Sequence, residues 1–366
     1  MFTSPLFRHH PDHAYGLAIS DTSLELVNMA NVKSKLALVF FSRVMLESGI
    51  IERGYIRKFD AFARAVKDLT KNLDQGDSLT VVSALPDYQV FTRLLSFGDA
   101  EYDGDTIDTE IKTIMSKSLP LDFTEVVIRN NVYEAREGKR EIMAYATHRS
   151  LIENWEKTLK KSNIRMAALE MTSQAMIRSL IRECPVGVSY VLVDIGASSS
   201  DICIFDCHGV KLSASMATGG RHFTETIAQA MQLDFAKAEE QKCSVGLKGT
   251  GNSMVTPILL KELEPIAQKI VKEIEYFERT GQKVKKIILA GGSSSMAGIV
   301  PYFQEHCKRE TEQGHPWIGV QSEIISSFAL SSKKLPENQE HLFTAATGLA
   351  LRGLNKGKIK SGINFI

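Results

Sequence analysis

What this chain has little of narrows its possibilities first. Its 44 Lys and Arg stand against 43 Asp and Glu, a formal net charge of +1. It therefore has no basic excess of the kind nucleic-acid partners require, and no such partner is expected. Cysteine is sparse and odd in number: Cys184, Cys203, Cys207, Cys243 and Cys307 form no CxxC pair. That pattern fits reduced thiols in a cytosol better than a disulfide framework. Cys203 and Cys207 have no further ligands nearby and read as packing residues. No apolar run nears the roughly twenty residues needed to cross a bilayer, and the first thirteen residues hold no signal-like apolar stretch. His9, His10 and His13 read as a polar leader, with metal binding as the alternative. The expectation is a cytoplasmic protein that meets a membrane only if something tethers it.

With 366 residues the chain is long enough for two domains, each with a core. The most informative segment is Tyr190-Val-Leu-Val-Asp-Ile-Gly-Ala-Ser-Ser-Ser-Asp-Ile-Cys-Ile-Phe205. An apolar strand reaches Asp194-Ile-Gly196, turns through small hydroxyl-bearing residues and leaves as a second strand. Gly196 lets a ligand approach the backbone, and Ala197, Ser198, Ser199 and Ser200 offer amides without bulk. Asp194 at the strand end could hold the water shell of a magnesium ion. A plain hairpin turn is the alternative.

Residues 16–27 repeat the shape: apolar strand, small polar turn, alternating strand. Two such hairpins suggest two related halves. Between them the spacing predicts a helix over 59–73 and a buried strand over 79–85. A compact α+β insert follows at about 88–164. It holds a strand near 90–97, a helix marked by Ile107, Ile111, Ile114 and Met115, and strands near 125–134 and 140–147 joined by a turn at 137–139. Ser150-Leu-Ile-Glu153 reads as a capping box opening a helix with Leu151, Trp155 and Leu159. A linking helix is expected over 170–183. Further on come Thr218-Gly-Gly220 at a helix start and a charged helix over 233–243. Next is a long apolar stripe from Leu259 to Phe277 in a helix started by Thr256-Pro257. A third glycine loop, Ala290-Gly-Gly-Ser293, follows an apolar strand, where ligands sit in α/β folds. A small-residue helix is expected over 342–354.

This order of hairpin, linking helix, Asp-Ile-Gly hairpin, strand with Gly-Gly loop and small-residue helix resembles the actin-like ATPase superfamily. Within it the chain looks most like the type IV pilus assembly protein PilM family, and next most like the cell-division protein FtsA. The resemblance rests on Tyr15-Gly-Leu-Ala-Ile-Ser-Asp-Thr-Ser-Leu24, Val193-Asp-Ile-Gly-Ala197, Thr218-Gly-Gly220, Ala238-Glu-Glu-Gln-Lys242, Ile288-Leu-Ala-Gly-Gly292 and Ala345-Ala-Thr-Gly-Leu-Ala-Leu351. It implies an α/β, actin-like (ribonuclease H-like) two-lobed fold with a small α+β insert subdomain. The first lobe would be 14–190 with the insert at 88–164. The second would be 191–340 with a helical part at 222–282, then a helix at 341–354 returning to the first lobe and a flexible tail at 355–366.

The resemblance also implies ATP or ADP with Mg2+ as cofactors. Asp194 would contact the magnesium shell, while Ser20, Thr22, Ser23, Gly196 to Ser199, Gly219 and Gly220 would line the phosphates. Glu239 and Lys242 would hold the ribose, a solvated surface pair being the plain alternative. Gly291, Gly292 and Ser293 would face the adenosine. Glu170 would orient the attacking water, or serve structure as a helix-start charge. One departure stands out: where the superfamily reads Asp-Ile-Gly in its first hairpin, this chain reads Ala18-Ile19-Ser20. Losing a magnesium-orienting carboxylate should slow phosphoryl transfer while leaving binding intact. A nucleotide that clamps rather than turns over is therefore expected.

The implied role is a cytoplasmic scaffold of type IV pilus or type II secretion-like machinery. It would be recruited to the inner face of the cytoplasmic membrane by the N-terminal cytoplasmic peptide of a PilN-like bitopic protein, with self-association as a further option. Ile363-Asn364-Phe365 resembles the Ile-Asn-Leu core of such peptides. An FtsA-like division role is the alternative, but residues 355–366 lack an amphipathic membrane helix. A small-molecule kinase would need an aspartate base in a glycine-rich substrate loop, and none is seen.

Overall fold

The computed structural model describes residues 13–32, 35–73, 79–97, 104–118, 123–134, 140–181, 183–249, 253–318, 320, 339–354 and 363–366. His9, His10, the 137–139 turn and the 355–362 part of the tail lie outside the described residues. The chain divides into two compact units. The first comprises Met1–Ser179, Trp317–Lys334 and Ala345–Ile366; the second comprises Leu180–Pro316 and Leu335–Thr344.

In the first unit the chain makes β1 (His13–Ile19), β2 (Ser23–Val32), β3 (Lys35–Met45), the short β4 (Ile51–Glu52) and β5 (Tyr55–Ile56), α1 (Phe59–Thr70) and β6 (Leu79–Leu85). The insert follows as β7 (Phe91–Phe97), α2 (Gly104–Ser118), β8 (Val126–Glu134) and β9 (Arg140–His148). The chain then returns through α3 (Arg149–Lys161), β10 (Ile164–Met171) and α4 (Thr172–Leu180). The main sheet has the order β10-β6-β1-β2-β3, antiparallel from β1 to β3 and parallel from β1 through β6 to β10. The insert is a separate antiparallel sheet, β7-β9-β8. Ile107, Ile111 and Met115 of α2 pack on it through Leu95, Phe97, Val126, Ile142, Ala144 and Ala146, the spacing-predicted face of that helix.

Three local expectations are corrected here. The capping box fails because β9 runs directly into α3. The helix starts at Arg149 after an extended His148 with no side-chain cap, and Ser150 Oγ meets the Tyr55 hydroxyl instead, at 3.1 Å. The helix expected over 170–183 begins only at Thr172, since residues 164–171 pair with β6 in parallel register from Ile164↔Leu79 to Met171↔Leu85. Glu170 is thus a strand residue. The chain end is no loose tail at residues 363–366, where Ile363 and Phe365 are buried.

The second unit contains β11 (Ser189–Ile195), β12 (Ser200–Asp206), β13 (Gly209–Met216), α5 (Gly220–Met231), α6 (Phe235–Val245), α7 (Val255–Glu278), β14 (Val284–Ala290), α8 (Ile299–Cys307) and β15 (Glu310–Gln313). Its sheet order is β13-β12-β11-β14-β15, again antiparallel on one side of the central strand and parallel on the other. The two sheets share one topology. Alternate residues Val191, Val193 and Ile195 of β11 face Phe223 of α5, the apolar stripe of α7 and Phe303 of α8, a continuous core. Asp234 caps α6 by accepting the Lys237 amide at 2.8 Å. Thr256 does not cap α7, which starts at Val255; its hydroxyl bonds the Gly246 carbonyl at 3.0 Å.

The last helix, α9 (Thr344–Gly353), lies against the first unit from Ala345 onward. A Cβ on Gly16 of β1 would overlap the Ala346 carbonyl, and one on Gly348 would overlap that of Ala175 in α4. Only backbone fits at these crossings, which is why the helix is built from small residues.

Candidate functional site

The second unit gathers most of the predicted ligand loops into one place. Ile195↔Ser200 is the last pair of the β11–β12 ladder, and residues 196–199 make the turn. The Gly196 amide donates to the Ser199 carbonyl at 2.9 Å, which closes the turn. The carbonyls of Gly196 and Ala197 accept the amides of Gly220 and Arg221, at 2.8 and 2.9 Å. The N-terminus of α5 is therefore stapled to the turn. Ser200 Oγ adds a bond to the Thr218 carbonyl at 2.7 Å. A Cβ on Gly219 would lie 2.6 Å from the Gly196 oxygen and 2.8 Å from that of Ala197. This close approach, rather than any backbone angle, requires glycine there. The amides of Ala197 and Ser198 at the turn tip have no backbone acceptor among the described residues.

Two further loops close on the same point. After β14, Gly291 takes φ 83°, a region that favours glycine. A Cβ there would overlap Asp194 Oδ1. Ser293 is buried, and its hydroxyl would lie 2.5 Å from a Cβ on Gly220. From α6, Lys242 reaches in with only 7 % exposure. Its Nζ donates to the Gly220 carbonyl and the Thr224 hydroxyl, each at 2.9 Å, and pairs with Glu239 at 2.8 Å. The Thr224 hydroxyl also donates to Glu239. Burial alone would raise the Glu239 pKa, yet the bonds from Lys242 and Thr224 outweigh it and hold the carboxyl below its usual range. The pair is a half-buried, ordered cluster, not a solvated surface pair. It leaves Glu239 charged and its carboxylate partly open to solvent.

Asp201 is a site residue that the motif reading passed over. It stands directly across the ladder from Asp194, on the same face of the hairpin. It accepts bonds from Ser199 at 2.9 Å and from Ser215. Burial raises its pKa to about 6 in spite of those hydroxyls. The signal was present as the second Asp of Asp194-Ile-Gly-Ala-Ser-Ser-Ser-Asp201, whose offset puts the two carboxylates opposite each other once the turn length is known. Among the described residues no group of three or more His, Cys, Asp or Glu converges as a metal site. Two carboxylates flanked by hydroxyls are instead an all-oxygen donor set. It suits a hard cation that keeps most of its water and takes its remaining ligands from a phosphate.

The other candidates belong to the first unit. Ser20 opens the β1–β2 turn, and its hydroxyl accepts the amides of Thr22 at 3.3 Å and Ser23 at 2.9 Å. Asp21 accepts from the Gly54 amide at 3.2 Å and the Tyr88 hydroxyl at 3.3 Å, so it faces away from the turn. Glu170 corrects the catalytic expectation. It has 0 % exposure and is held by Arg178 through Oε1 at 2.6 Å and Oε2 at 2.9 Å, and by Arg352 through Oε2 at 2.7 Å. Arg178 also donates to the Gly348 carbonyl at 3.0 Å. A fully buried carboxylate bound by two guanidiniums joins β10, α4 and α9. It is a structural tie, with no face left to orient water.

Comparison with known proteins agrees with this architecture. A family model described as type IV pilus assembly protein PilM matches residues 16–354. The structure of a PilM–PilN type IV pilus biogenesis complex superposes with a TM-score of 0.77 over 93 % of this chain and 98 % of that one, at 21 % identity. MreB5 of Spiroplasma citri bound to AMPPNP superposes at TM-score 0.53 and 11 % identity, over 93 % and 95 % of the two chains. Among curated proteins, the ethanolamine utilization protein EutJ of Escherichia coli is 31 % identical over 114 residues, 31 % of this chain and 37 % of EutJ. The cell division protein FtsA of Pseudomonas aeruginosa is 24 % identical over 260 residues, 61 % of this chain and 62 % of FtsA. The chain thus spans between about a third and three fifths of these curated relatives. The fold is the actin-like α/β fold, and the chain belongs to the type IV pilus assembly protein PilM family.

Proposed function

We propose that this member of the PilM family is a nucleotide-binding scaffold that docks on a peptide of a membrane partner and turns its nucleotide over slowly or not at all. The observation that carries the nucleotide reading is the convergence, in the second unit alone, of Gly219-Gly220, Gly291 and Ser293 on the β11–β12 hairpin, with Lys242 bonded to the Gly220 carbonyl. Open turn amides with no side chains over them are what a phosphate chain needs. The Lys242–Glu239 pair would meet the sugar hydroxyls, and Gly292 and Ser293 would face the base. Asp194 and Asp201 would hold a magnesium ion through its water, and the ion would supply charge neutralisation for the phosphates. Neither carboxylate needs to move a proton. In the first unit Ala18 presents no carboxylate, and Glu25 across from it is already paired with Arg43, which supports slow hydrolysis.

The docking part rests on family membership and on the name of the PilM–PilN complex. No helix among the described residues is long and apolar enough to cross a membrane, and the proposed recruitment runs through the partner's peptide. Calorimetric titration of the purified chain with ATP and ADP, with and without Mg2+, tests the first part, and phosphate release tests turnover. Saturable binding with less than about one turnover per second, the low end of ordinary enzyme rates, is expected. Absence of binding removes the nucleotide reading, and release of several phosphates per second removes the scaffold reading.

A further inference from the structure

Residues 363–366 take part in an arrangement that nucleotide binding does not use. In the first unit β10 is an outer strand, with β6 on one side. On its other edge Leu169 gives both backbone groups to this segment. Its carbonyl accepts the Phe365 amide at 2.9 Å, and its amide donates to Asn364 Oδ1 at 2.9 Å. The side-chain amide of Asn364 stands where the carbonyl of an added strand would be. Arg129 of β8 donates Nε to the Asn364 carbonyl at 2.7 Å and Nη2 to the Phe365 carbonyl at 3.3 Å. Arg352 of α9 donates to the Ile363 carbonyl at 2.8 Å. Ile363 and Phe365 are 3 % and 2 % exposed.

The segment does not fill the space it enters. Phe365 and Ile366 form one wall of a groove of 1040 Å³, whose other walls include Ile111 and Lys112 of α2, Ile128 of β8 and Ile152 of α3. That is at the upper end of the roughly 300–1,000 Å³ typical of ligand clefts. A short extended segment is thus read through one asparagine and two buried apolar side chains, with two arginines on its carbonyls and open room alongside. These are the features of a bound peptide, in which main-chain bonds hold the ligand and pockets select it. A strand that merely completed the sheet would continue the ladder with its own carbonyl.

We propose that residues 363–366 occupy in cis, along β10, the peptide site of the docking reading above, so that a partner peptide docks only by displacing them. The partner's identity rests on the docking reading above; the occupancy in cis rests on this geometry. Self-occupancy makes docking competitive, so a partner must outcompete a ligand held at the high local concentration that a short linker imposes, of millimolar order.

The test uses a fluorescein-labelled peptide with the sequence of residues 361–366, Ser-Gly-Ile-Asn-Phe-Ile. It is titrated by anisotropy with the intact chain and with a chain carrying Asn364→Ala and Phe365→Ala. The substituted chain, its site vacated, is expected to bind at least about tenfold more tightly. A peptide with Ala in place of Asn, which lacks the oxygen that accepts the Leu169 amide, should bind at least tenfold more weakly than the unchanged one. Equal affinity for both chains, or binding to neither, overturns the proposal. If the double substitution unfolds the chain, Asn364→Ala alone, which keeps both buried apolar side chains, should still tighten peptide binding. Dimers that dissociate on adding peptide would place the segment in a second copy and overturn the in-cis claim. A membrane-protein peptide that binds intact and substituted chains alike would leave docking standing and remove self-occupancy. Binding of the chain's own peptide but of no membrane-protein peptide would do the reverse.

Discussion

The hairpins β1–β2 and β11–β12 occupy the same place in sheets of the same topology, yet they treat charge in opposite ways. Residues 20–23 turn between Ile19↔Leu24, and residues 196–199 turn between Ile195↔Ser200, so the loop lengths match. The matching pairs are Ala18↔Glu25 in one and Asp194↔Asp201 in the other. In the first hairpin the single carboxylate of that pair, Glu25, is buried and answered by Arg43 at 2.8 Å. Burial raises its pKa, with the Arg43 charge working against the rise. The turn is also satisfied internally, because Ser20 Oγ takes the amides that a phosphate would use. In the second hairpin two carboxylates share a face and the tip amides have no backbone acceptor among the described residues. One hairpin carries its own cation and its own acceptor; on the proposed reading the other would receive both. The same topology thus appears twice in one chain with the donor groups of a ligand site in only one of the two hairpins.

The strongest way to break this contrast is to disable the receptive hairpin. Gly219→Val would drive a branched side chain into the carbonyls of Gly196 and Ala197, which already lie 2.6 and 2.8 Å from where a Cβ would sit. Backbone cannot yield as a side-chain tip can. The expected cost is about 1–3 kcal/mol of overpacking strain. Nucleotide affinity should fall by about ten- to a hundredfold, as the turn and α5 separate. Calorimetry measures the second and thermal unfolding the first. Unchanged affinity would mean that the clasp around Gly219 is not the phosphate site.

The contrast can also be narrowed from the other side. Ala18→Asp with Ser20→Gly rewrites the first hairpin as Asp-Ile-Gly. It returns a carboxylate opposite Glu25 and removes the hydroxyl that occupies the turn amides. A hydrogen bond to a charged group contributes roughly 1.5–3 kcal/mol, so phosphate release should rise by about ten- to a hundredfold if that carboxylate is the missing part. Single-turnover release measures it. No increase would place the slow step elsewhere and weaken the Ala18 explanation.

These variants could be chosen because glycine loops are legible from sequence. A strand end followed by Gly with small neighbours marks backbone exposure, and Gly219 and Gly291 do both close on the hairpin that carries Gly196. The stripe of α7 and the α2 face of the insert were legible for the same kind of reason, since helical spacing forces one face inward. What failed was whatever depended on a long-range partner. Glu170 looked like a helix-start charge until β6 claimed residues 164–171, and its arginines come from α4 and α9. Ser150 fitted a capping box, but β9 runs into a helix that already starts at Arg149, so Ser150 lies inside the first turn. The tail looked frayed because nothing local holds it; its ties run to Leu169, Arg129 and Arg352. Asp201 needed the turn length before its position across from Asp194 was fixed.

A pH dependence isolates that carboxylate. In the unfolded chain Asp201 ionises near its ordinary value of 3.8; in the folded unit burial moves this to about 6. Between those values the folded state holds a proton that the unfolded state has lost. Stability from this group is therefore fully present below about 3.8 and is lost as pH rises through about 6. At 1.36 kcal/mol per pK unit the whole effect is at most about 3 kcal/mol. Asp201→Asn cannot ionise, so its melting temperature relative to the unchanged protein should climb between pH 4 and pH 7 and then level off. Saturating Mg2+ with nucleotide should flatten the slope, because a cation beside Asp194 and Asp201 favours the ionised form in the folded state. A difference that shrinks as pH rises would reverse the sign and remove Asp201 from the site's electrostatics. A slope that persists unchanged with magnesium and nucleotide bound would separate the carboxylate pair from the ligand, and with it the contrast between the two hairpins.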